Sequence, residues 1–414
     1  MEEIKQGYKQ TDIGVIPEDW EVKPIGKLGL FSKGNGISRA ESNTGIIPCV
    51  RYGEIYTTHD NYIKKFYSFI SREVANRAKK LKVGDVLFTA SGETKEDIGK
   101  NVAFIDNIEA YAGGDIIILS PKNADSLFLG YLFNAPYVVT QKANKGQGDA
   151  VVHITKDSLR DIVIAIPESI SEQTAIATAL SDTDALIAAL DKKIAKKQQI
   201  KQGAMQQLLT GKKRLPGFSG EWVEKKLGDI CELKNGYAFK SDTYALAGKF
   251  YILTIANVQN GFLEIKNCNK IIDIPFDIQE HQKLEPGDLL ISMTGNVGRI
   301  CFVDSKNCLL NQRVGKLLPT NINEKFLYHI LRHPNFINAM ILKSHGGAQA
   351  NLSKSEIESF DLIIPVDKRE QTAIAQILTD MDNEIAQLQR ERDKYREIKA
   401  GMMQVLLTGR VRLV

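Results

Sequence analysis

Covalent chemistry needs particular side chains at particular spacings, and two stretches of this 414-residue chain come near it. NAPY at 134–137 falls one residue short of the Asn-Pro-Pro-Tyr type of element that grips the exocyclic amine in adenine methylation. The first proline is missing, no Phe-x-Gly-x-Gly cofactor loop accompanies it, and its counterpart in the second half is HPNF at 333–336. A helix terminus explains both copies better. SGETKEDIGK at 91–100 suggests a phosphate loop, but six residues rather than four separate its glycines, and Asn101 follows where Ser or Thr is needed. The six histidines show no HExxH or Cys/His spacing able to hold a metal. Cys49, Cys231, Cys268, Cys301 and Cys308 are odd in number and never spaced CxxC. They read as free thiols of a cytoplasmic protein, not as a disulfide or zinc framework. The chain reads as catalytically empty, with no cofactor of its own.

Binding is a different demand. A nucleic-acid surface wants glycine-rich loops, where backbone can approach phosphate, flanked by side chains that reach base edges. Three such loops occur in matched pairs, one member in each half. KGNGISR (33–39), with Arg39, matches NGYAFKS (235–241). SGETKEDIGK, with Lys95 and Lys100, matches TGNVGR (294–299), with Asn296 and Arg299. KANKGQGDAVVH (142–153) offers Lys145, Gln147 and His153, and its match KSHGGAQAN (343–351) offers His345, Gln349 and Asn351. Arg or Lys suits guanine and Asn or Gln suits adenine, because each makes two hydrogen bonds to one base.

The elements that must position these loops come from a repeat. Residues 167–215 align without a gap on 365–413, with 25 of 49 positions identical. EQTAIA, the Asp182/Asp184 pair against Asp380/Asp382, and LLTG anchor the match. The stretches between repeat more faintly: IGVIPEDWEVKPIGKL (13–28) against LPGFSGEWVEKKLGDI (215–230), and LKVGDVLFTASGE (81–93) against LEPGDLLISMTGN (284–296). The order is therefore lobe (1–166), connector (167–214), lobe (215–364), connector (365–414). Each connector predicts one helix of about 38 residues, ~57 Å long. Its apolar residues recur in alternating steps of four and three, a heptad-like seam that Thr183, Lys197, Lys201, Arg392 and Lys399 interrupt. Two equivalent halves are most simply related by a pseudo-twofold axis. That axis pairs the helices antiparallel, as a coiled coil, and brings the chain termini together. Gly203 and Gly401 suit close helix packing, or else a notch for a partner. The lobes predict compact mixed α/β folds, with strands in 115–120, 250–258 and 287–293, so the whole is α+β.

Composition narrows the class without choosing the function. The chain is 43% hydrophobic and 25% charged, which is ordinary globular usage. No apolar run approaches ~18 residues and MEEIKQGYKQ does not read as a secretory signal, so no membrane association is expected. The net charge is +4, yet each lobe is neutral and the excess lies in the two connectors. Bulk charge therefore says little about DNA, and any DNA surface must be local. The basic run DKKIAKKQQIK (191–201) reads either as a solvated helix face or as a contact to phosphates or to an acidic partner. Glu172, Gln173, Glu370 and Gln371 open the connectors, where capping and partner binding explain them equally.

Taken together, IGVIPEDWEV, the paired GDVLFTASGE and GDLLISMTGN, the IPxxxxEQTAIA openings and the LLTG endings resemble the specificity subunit of Type I restriction-modification systems. The resemblance covers essentially the full chain. It implies that each lobe is a target recognition domain reading one half of an asymmetric, bipartite site in double-stranded DNA. The helices would set the gap between half-sites and dock two modification subunits. Those subunits would bring S-adenosylmethionine and methylate adenine, and a restriction subunit would cleave unmodified DNA. A coiled-coil scaffold that joins proteins without reading DNA is the alternative from another class. A self-sufficient methyltransferase would have to bind the cofactor in the isolated chain.

Overall fold

The computed structural model describes residues 4, 6–148, 151–344 and 350–413. In the first lobe a four-stranded antiparallel sheet runs Gly29–Lys33, Ile116–Pro121, Val86–Thr89, Asn101–Ala103. Successive strand residues point to opposite faces, and here both faces are covered. Val86, Phe88, Ile117 and Leu119 pack with Phe128 and Leu132 of the lobe's helix Ser126–Leu132. Leu87, Val102, Ile116 and Ile118 pack with Val50, Ile55 and Ala112. Val50 and Ala112 belong to a second sheet, Ser68–Ile70, Ile47–Val50, Tyr111–Ala112, Lys79–Lys80, whose central pair is parallel. Burial on both sides is why 115–120 reads as an unbroken apolar run rather than an alternation.

The second lobe repeats this arrangement strand for strand. One sheet is Cys231–Asn235, Val314–Pro319, Leu289–Ser292, Ile300–Phe302; the other is Asn269–Ile271, Phe250–Leu253, Cys308–Leu310, Lys283–Leu284. The strand expected over 250–258 stops at Leu253, because Asn257 Oδ1 accepts from both the Thr254 amide (2.9 Å) and its hydroxyl (2.8 Å) and turns the chain. Pro136 and Pro334 each open a new helix, Pro136–Lys145 and Pro334–Lys343, which accounts for NAPY and HPNF as helix starts. Short antiparallel ribbons, Trp20–Pro24 with Val163–Pro167 and Trp222–Lys226 with Asp361–Pro365, feed each lobe into its connector.

Each connector is one 39-residue helix, Ile170–Leu208 and Lys368–Leu406. Two compact units result, residues 1–190 with 391–414 and residues 191–390. The division falls inside both helices and not at the lobe ends drawn from the repeat. The reason is burial: each lobe covers its apolar flank with the start of one helix and the end of the other. Ile176, Leu180, Leu406 and Leu407 complete one core, and Met205, Leu208, Ile374 and Leu378 complete the other. In the first unit the chain ends meet as expected, since the Tyr8 hydroxyl donates to the Gly409 carbonyl at 3.0 Å.

Two details depart from expectation. Gly203 and Gly401 are exposed, and a Cβ at either would meet nothing within 4 Å, so close helix packing is not their reason. Lys201 and Lys399, which looked like breaks in the seam, lie within it. Lys201 Nζ is 2.5 Å from Asp382 and Lys399 Nζ is 2.6 Å from Asp184. The cysteines are free, and burial pushes the thiols of Cys49, Cys231, Cys301 and Cys308 up to about 12, which leaves them unreactive. Among the described residues, no helix is long and apolar enough to cross a membrane.

Candidate nucleic-acid interface

In the first lobe the second and third loops form one surface. Ser91–Gly92 pairs antiparallel with Val152–His153, and a hydrogen bond of 2.9 Å links Ser91 Oγ to His153 Nδ1. Gln147 and His153 exchange both backbone hydrogen bonds, at 2.9 and 2.7 Å. Lys95, Gln147 and His153 are exposed here. Lys100 is half-buried and donates to the Tyr56 carbonyl at 3.1 Å, so it shapes the loop from beneath. Lys145 lies 3.9 Å from the Asp161 carboxylate. Gly99, at φ 70°, turns the loop back into its strand over Lys142, and Gly298, at φ 74°, does the same over Met340. Lys142 is buried and donates to the Gly99 carbonyl at 2.8 Å; burial lowers its pKa to about 7.

Arg39 is exposed on a loop tied to Arg77, whose carbonyl accepts from Asn35 Nδ2 at 3.2 Å and whose guanidinium pairs with Glu41. Among the described residues, no hydrogen bond joins the Arg39 side chain to the other two loops.

The second lobe builds the matching surface. Gly295 donates to the Ala350 carbonyl at 2.9 Å, Leu352 to Met293 at 2.8 Å, and the Thr294 hydroxyl to Asn351 Oδ1 at 2.8 Å. Asn296 and Asn351 are exposed, while Arg299 is half-buried with Nη1 donating to Gln259 Oε1 at 2.6 Å. His345 and Gln349 lie outside the described residues. The first loop joins this group: Tyr237 donates to the Leu310 carbonyl at 2.8 Å and accepts from the Gln312 amide at 2.9 Å. A search keyed on glycine passes over Gln312 and Arg313, which stand exposed between these loops. The available signal was NQR (311–313), three side chains able to hydrogen-bond between two apolar runs.

The surroundings of Glu172, Gln173, Glu370 and Gln371 show what these side chains bond within the chain itself. All four are buried. Glu172 accepts from Arg412 at 2.5 and 2.8 Å, and Glu370 from Arg214 at 2.7 Å. Arg412 also reaches Asp19, and these two carboxylates hold its guanidinium above the usual arginine range. Gln173 bonds the Asp125 amide at 2.9 Å and the Pro167 carbonyl at 2.8 Å, and Gln371 repeats this with Asn323 and Pro365, at 2.8 Å each. Asp125 and Asn323 are themselves N-caps of lobe helices. The glutamines therefore fasten each lobe to its connector, and these side chains are occupied internally. Of the basic run, Lys197 and Lys201 pair with Glu384 and Asp382, while Lys192, Lys193 and Lys196 are exposed.

Comparison with known proteins gives this arrangement a setting. A family model described as the Type I restriction modification DNA specificity domain matches residues 17–202 and again 219–396. The specificity subunit of the Type I restriction enzyme MjaVIII from Methanocaldococcus jannaschii is 24% identical over 437 aligned positions, covering 99% of this chain and 98% of that protein. The EcoAI specificity subunit from Escherichia coli is 30% identical over 189 positions, 41% of this chain and 31% of that one. Among solved structures, the Type I restriction-modification S subunit from M. genitalium superposes with a TM-score of 0.64 at 16% identity, covering 98% of this chain and 97% of that one.

Proposed function

The chain belongs to the Type I restriction-modification DNA specificity family, and from that premise we propose that it is the sequence-reading subunit of such a complex. Each lobe takes one half of an asymmetric, bipartite site in double-stranded DNA. The observation that carries this is the pairing of loops on two lobes of one topology: the backbone frame is shared, while the exposed side chains differ. A shared frame with unlike readers suits two unlike half-sites.

The two long helices act as an antiparallel coiled coil related by a pseudo-twofold axis. Reciprocal pairs at equivalent repeat positions support this: Lys201–Asp382 with Lys399–Asp184, and Arg214–Glu370 with Arg412–Glu172. A repeated connector offers two equivalent docking places, one for each of two modification subunits, and its length sets the spacer. Those subunits supply S-adenosylmethionine and the methylating groups, a restriction subunit supplies cleavage, and the complex works in the cytoplasm. The chain itself is non-catalytic and holds neither cofactor nor metal.

Methylome sequencing of the host with and without this chain tests the reading. A bipartite methylated motif that disappears with the chain is the expected result; an unchanged methylome rejects it in favour of a scaffold. Saturable binding of S-adenosylmethionine by the isolated chain would reject the non-catalytic assignment.

A further inference from the structure

The chain between the parallel strand and the long antiparallel strand keeps its length in both lobes but carries unlike side chains. In lobe one the link from Tyr111–Ala112 to Ile116–Pro121 is Gly113, Gly114, Asp115. In lobe two the link from Cys308–Leu310 to Val314–Pro319 is Asn311, Gln312, Arg313. Lobe one thus offers nothing longer than an aspartate there. Lobe two offers the two side chains best shaped to grip a single base through two hydrogen bonds.

The lobe-two link is also rigid. Asn311 is buried, its carbonyl accepts from the Val314 amide at 2.9 Å, and its Oδ1 accepts from the Arg313 amide at 3.3 Å. That closes a tight turn with Gln312 and Arg313 at its tip. Neighbours hold the tip on both sides. The Gln312 amide donates to the Tyr237 carbonyl at 2.9 Å, and the Arg313 carbonyl accepts from Met293 at 3.1 Å. Thr294, next to Met293, is bonded to Asn351. The first two glycine-rich loops of the lobe therefore meet this turn, where Arg313 Nη1 also donates to the Thr294 hydroxyl at 3.5 Å, and Asn351 of the third joins them through Thr294; both side chains at the tip of the turn are exposed. A fixed backbone carrying exposed, forked donors loses little freedom on binding, which is what a specificity contact requires.

We infer that Gln312 and Arg313 read base edges of the half-site taken by lobe two, an assignment that rests on the DNA-reading function proposed above. Guanine is the partner expected for Arg313 and adenine for Gln312. Lobe one reads without a counterpart at this position, so its half-site depends on the Lys95, Gln147 and His153 surface.

The test uses the full chain assembled with its modification subunits and a pool of randomised duplex DNA, sequencing the bound fraction. Arg313→Ala and Gln312→Ala should each abolish the preference at one base pair of one half-site. A lost two-bonded contact is worth roughly 1–3 kcal/mol, or about 5- to 150-fold in discrimination. The other half-site and the spacing should be untouched. Arg313→Lys keeps the charge and can still donate to guanine but lacks the rigid fork, so it should weaken the preference less than Arg313→Ala does, while the salt dependence of binding stays. Unchanged preferences in both half-sites overturn the assignment. So does an equal loss on every sequence, which marks a phosphate contact. The unsubstituted complex is the control on the premise: if it selects no sequence, DNA reading itself fails, and this assignment with it.

Discussion

Lys201 Nζ lies 2.5 Å from Asp382 Oδ1, with the lysine side chain 9% exposed and the aspartate 30% exposed. Arg332 approaches the other carboxylate oxygen at 3.1 Å, so one anion serves two cations. The Lys201 ammonium is pushed below its ordinary value by burial first and by the nearby Arg332, against the pull of Asp382. The pair is therefore lopsided. Lys201→Met leaves Asp382 still satisfied by Arg332 and keeps the apolar stem in the seam, so it should cost about 1 kcal/mol or less. Asp382→Asn leaves two cations facing each other without their anion and should cost about 2–3 kcal/mol, short of the ~3–5 of a fully buried pair because the site is partly wet. Urea unfolding of the full chain checks the order. Equal costs, or a larger one for Lys201→Met, contradict this account.

Lys142 gives a prediction with a pH signature. Its equivalent in the other lobe is Met340, buried in the same place over a glycine. Unfolded, the ammonium titrates near its ordinary 10.5; folded, burial brings it down to about 7. Below pH 7 both states hold the proton, and the fold bears the full cost of a buried charge. Between about 7 and 10.5 the unfolded chain binds more protons, so stability rises with pH. Lys142→Met should therefore stabilise the protein by about 1–3 kcal/mol near pH 6.5. The gain should shrink toward zero, or reverse through the unpaired Gly99 carbonyl, near pH 10. Thermal unfolding at both pH values decides the matter, and a gain that grows with pH contradicts it.

These two sites show what could be read from the chain alone. The connectors were legible because a helical period and two copies identical at about half their positions both survive in them. The role of their polar residues was not. Lys201 and Lys399 looked like faults in an apolar pattern, since periodicity scores a residue by type and cannot see the aspartate opposite. Glu172 and Gln173 announced a shared purpose by recurring as Glu370 and Gln371, but recurrence does not say whether a side chain faces inward. The pairing of loops 91–100 with 142–153, and of 294–299 with 343–351, does correspond to contacts within each lobe, while among the described residues no hydrogen bond joins the Arg39 side chain to its neighbours in that set. Gln312 and Arg313 stand out only in the structure, because their turn is pinned by long-range hydrogen bonds, which no local spacing records.

Gly203 and Gly401 both sit exposed in helix interiors, where glycine costs roughly 1 kcal/mol against alanine. A Cβ at either meets nothing, so Gly203→Ala and Gly401→Ala should each raise stability by about 0.5–1 kcal/mol. Glycine at both positions then needs a reason outside the isolated fold, and the proposed docking of a modification subunit closely over each helix would supply one. The double variant should unfold at a higher temperature yet assemble more weakly with modification subunits, measured by titration calorimetry or analytical ultracentrifugation. Undiminished assembly would remove the docking reason and leave these glycines unexplained.

Connector length is the last quantity that can be put to a test. Four residues add about 6 Å to a helix, and duplex DNA advances about 34 Å in 10 base pairs. A four-residue insertion is thus worth one to two base pairs of spacer. It must be made in both helices, after Leu190 and after Arg390, because these points leave the contacts within each unit intact. An inserted Ala-Glu-Ala-Lys keeps helical propensity. The added four-residue step also rotates the helix by about 40°, close enough to a full turn to preserve much of the seam's facing. Assembled complexes carrying the paired insertion should select the same two half-sites separated by one or two more base pairs. Insertion in one helix alone should instead weaken binding without choosing a new gap, because the two helices would then disagree in length. A preferred gap that stays fixed under the paired insertion would show that the helices are not the ruler, whatever else they dock.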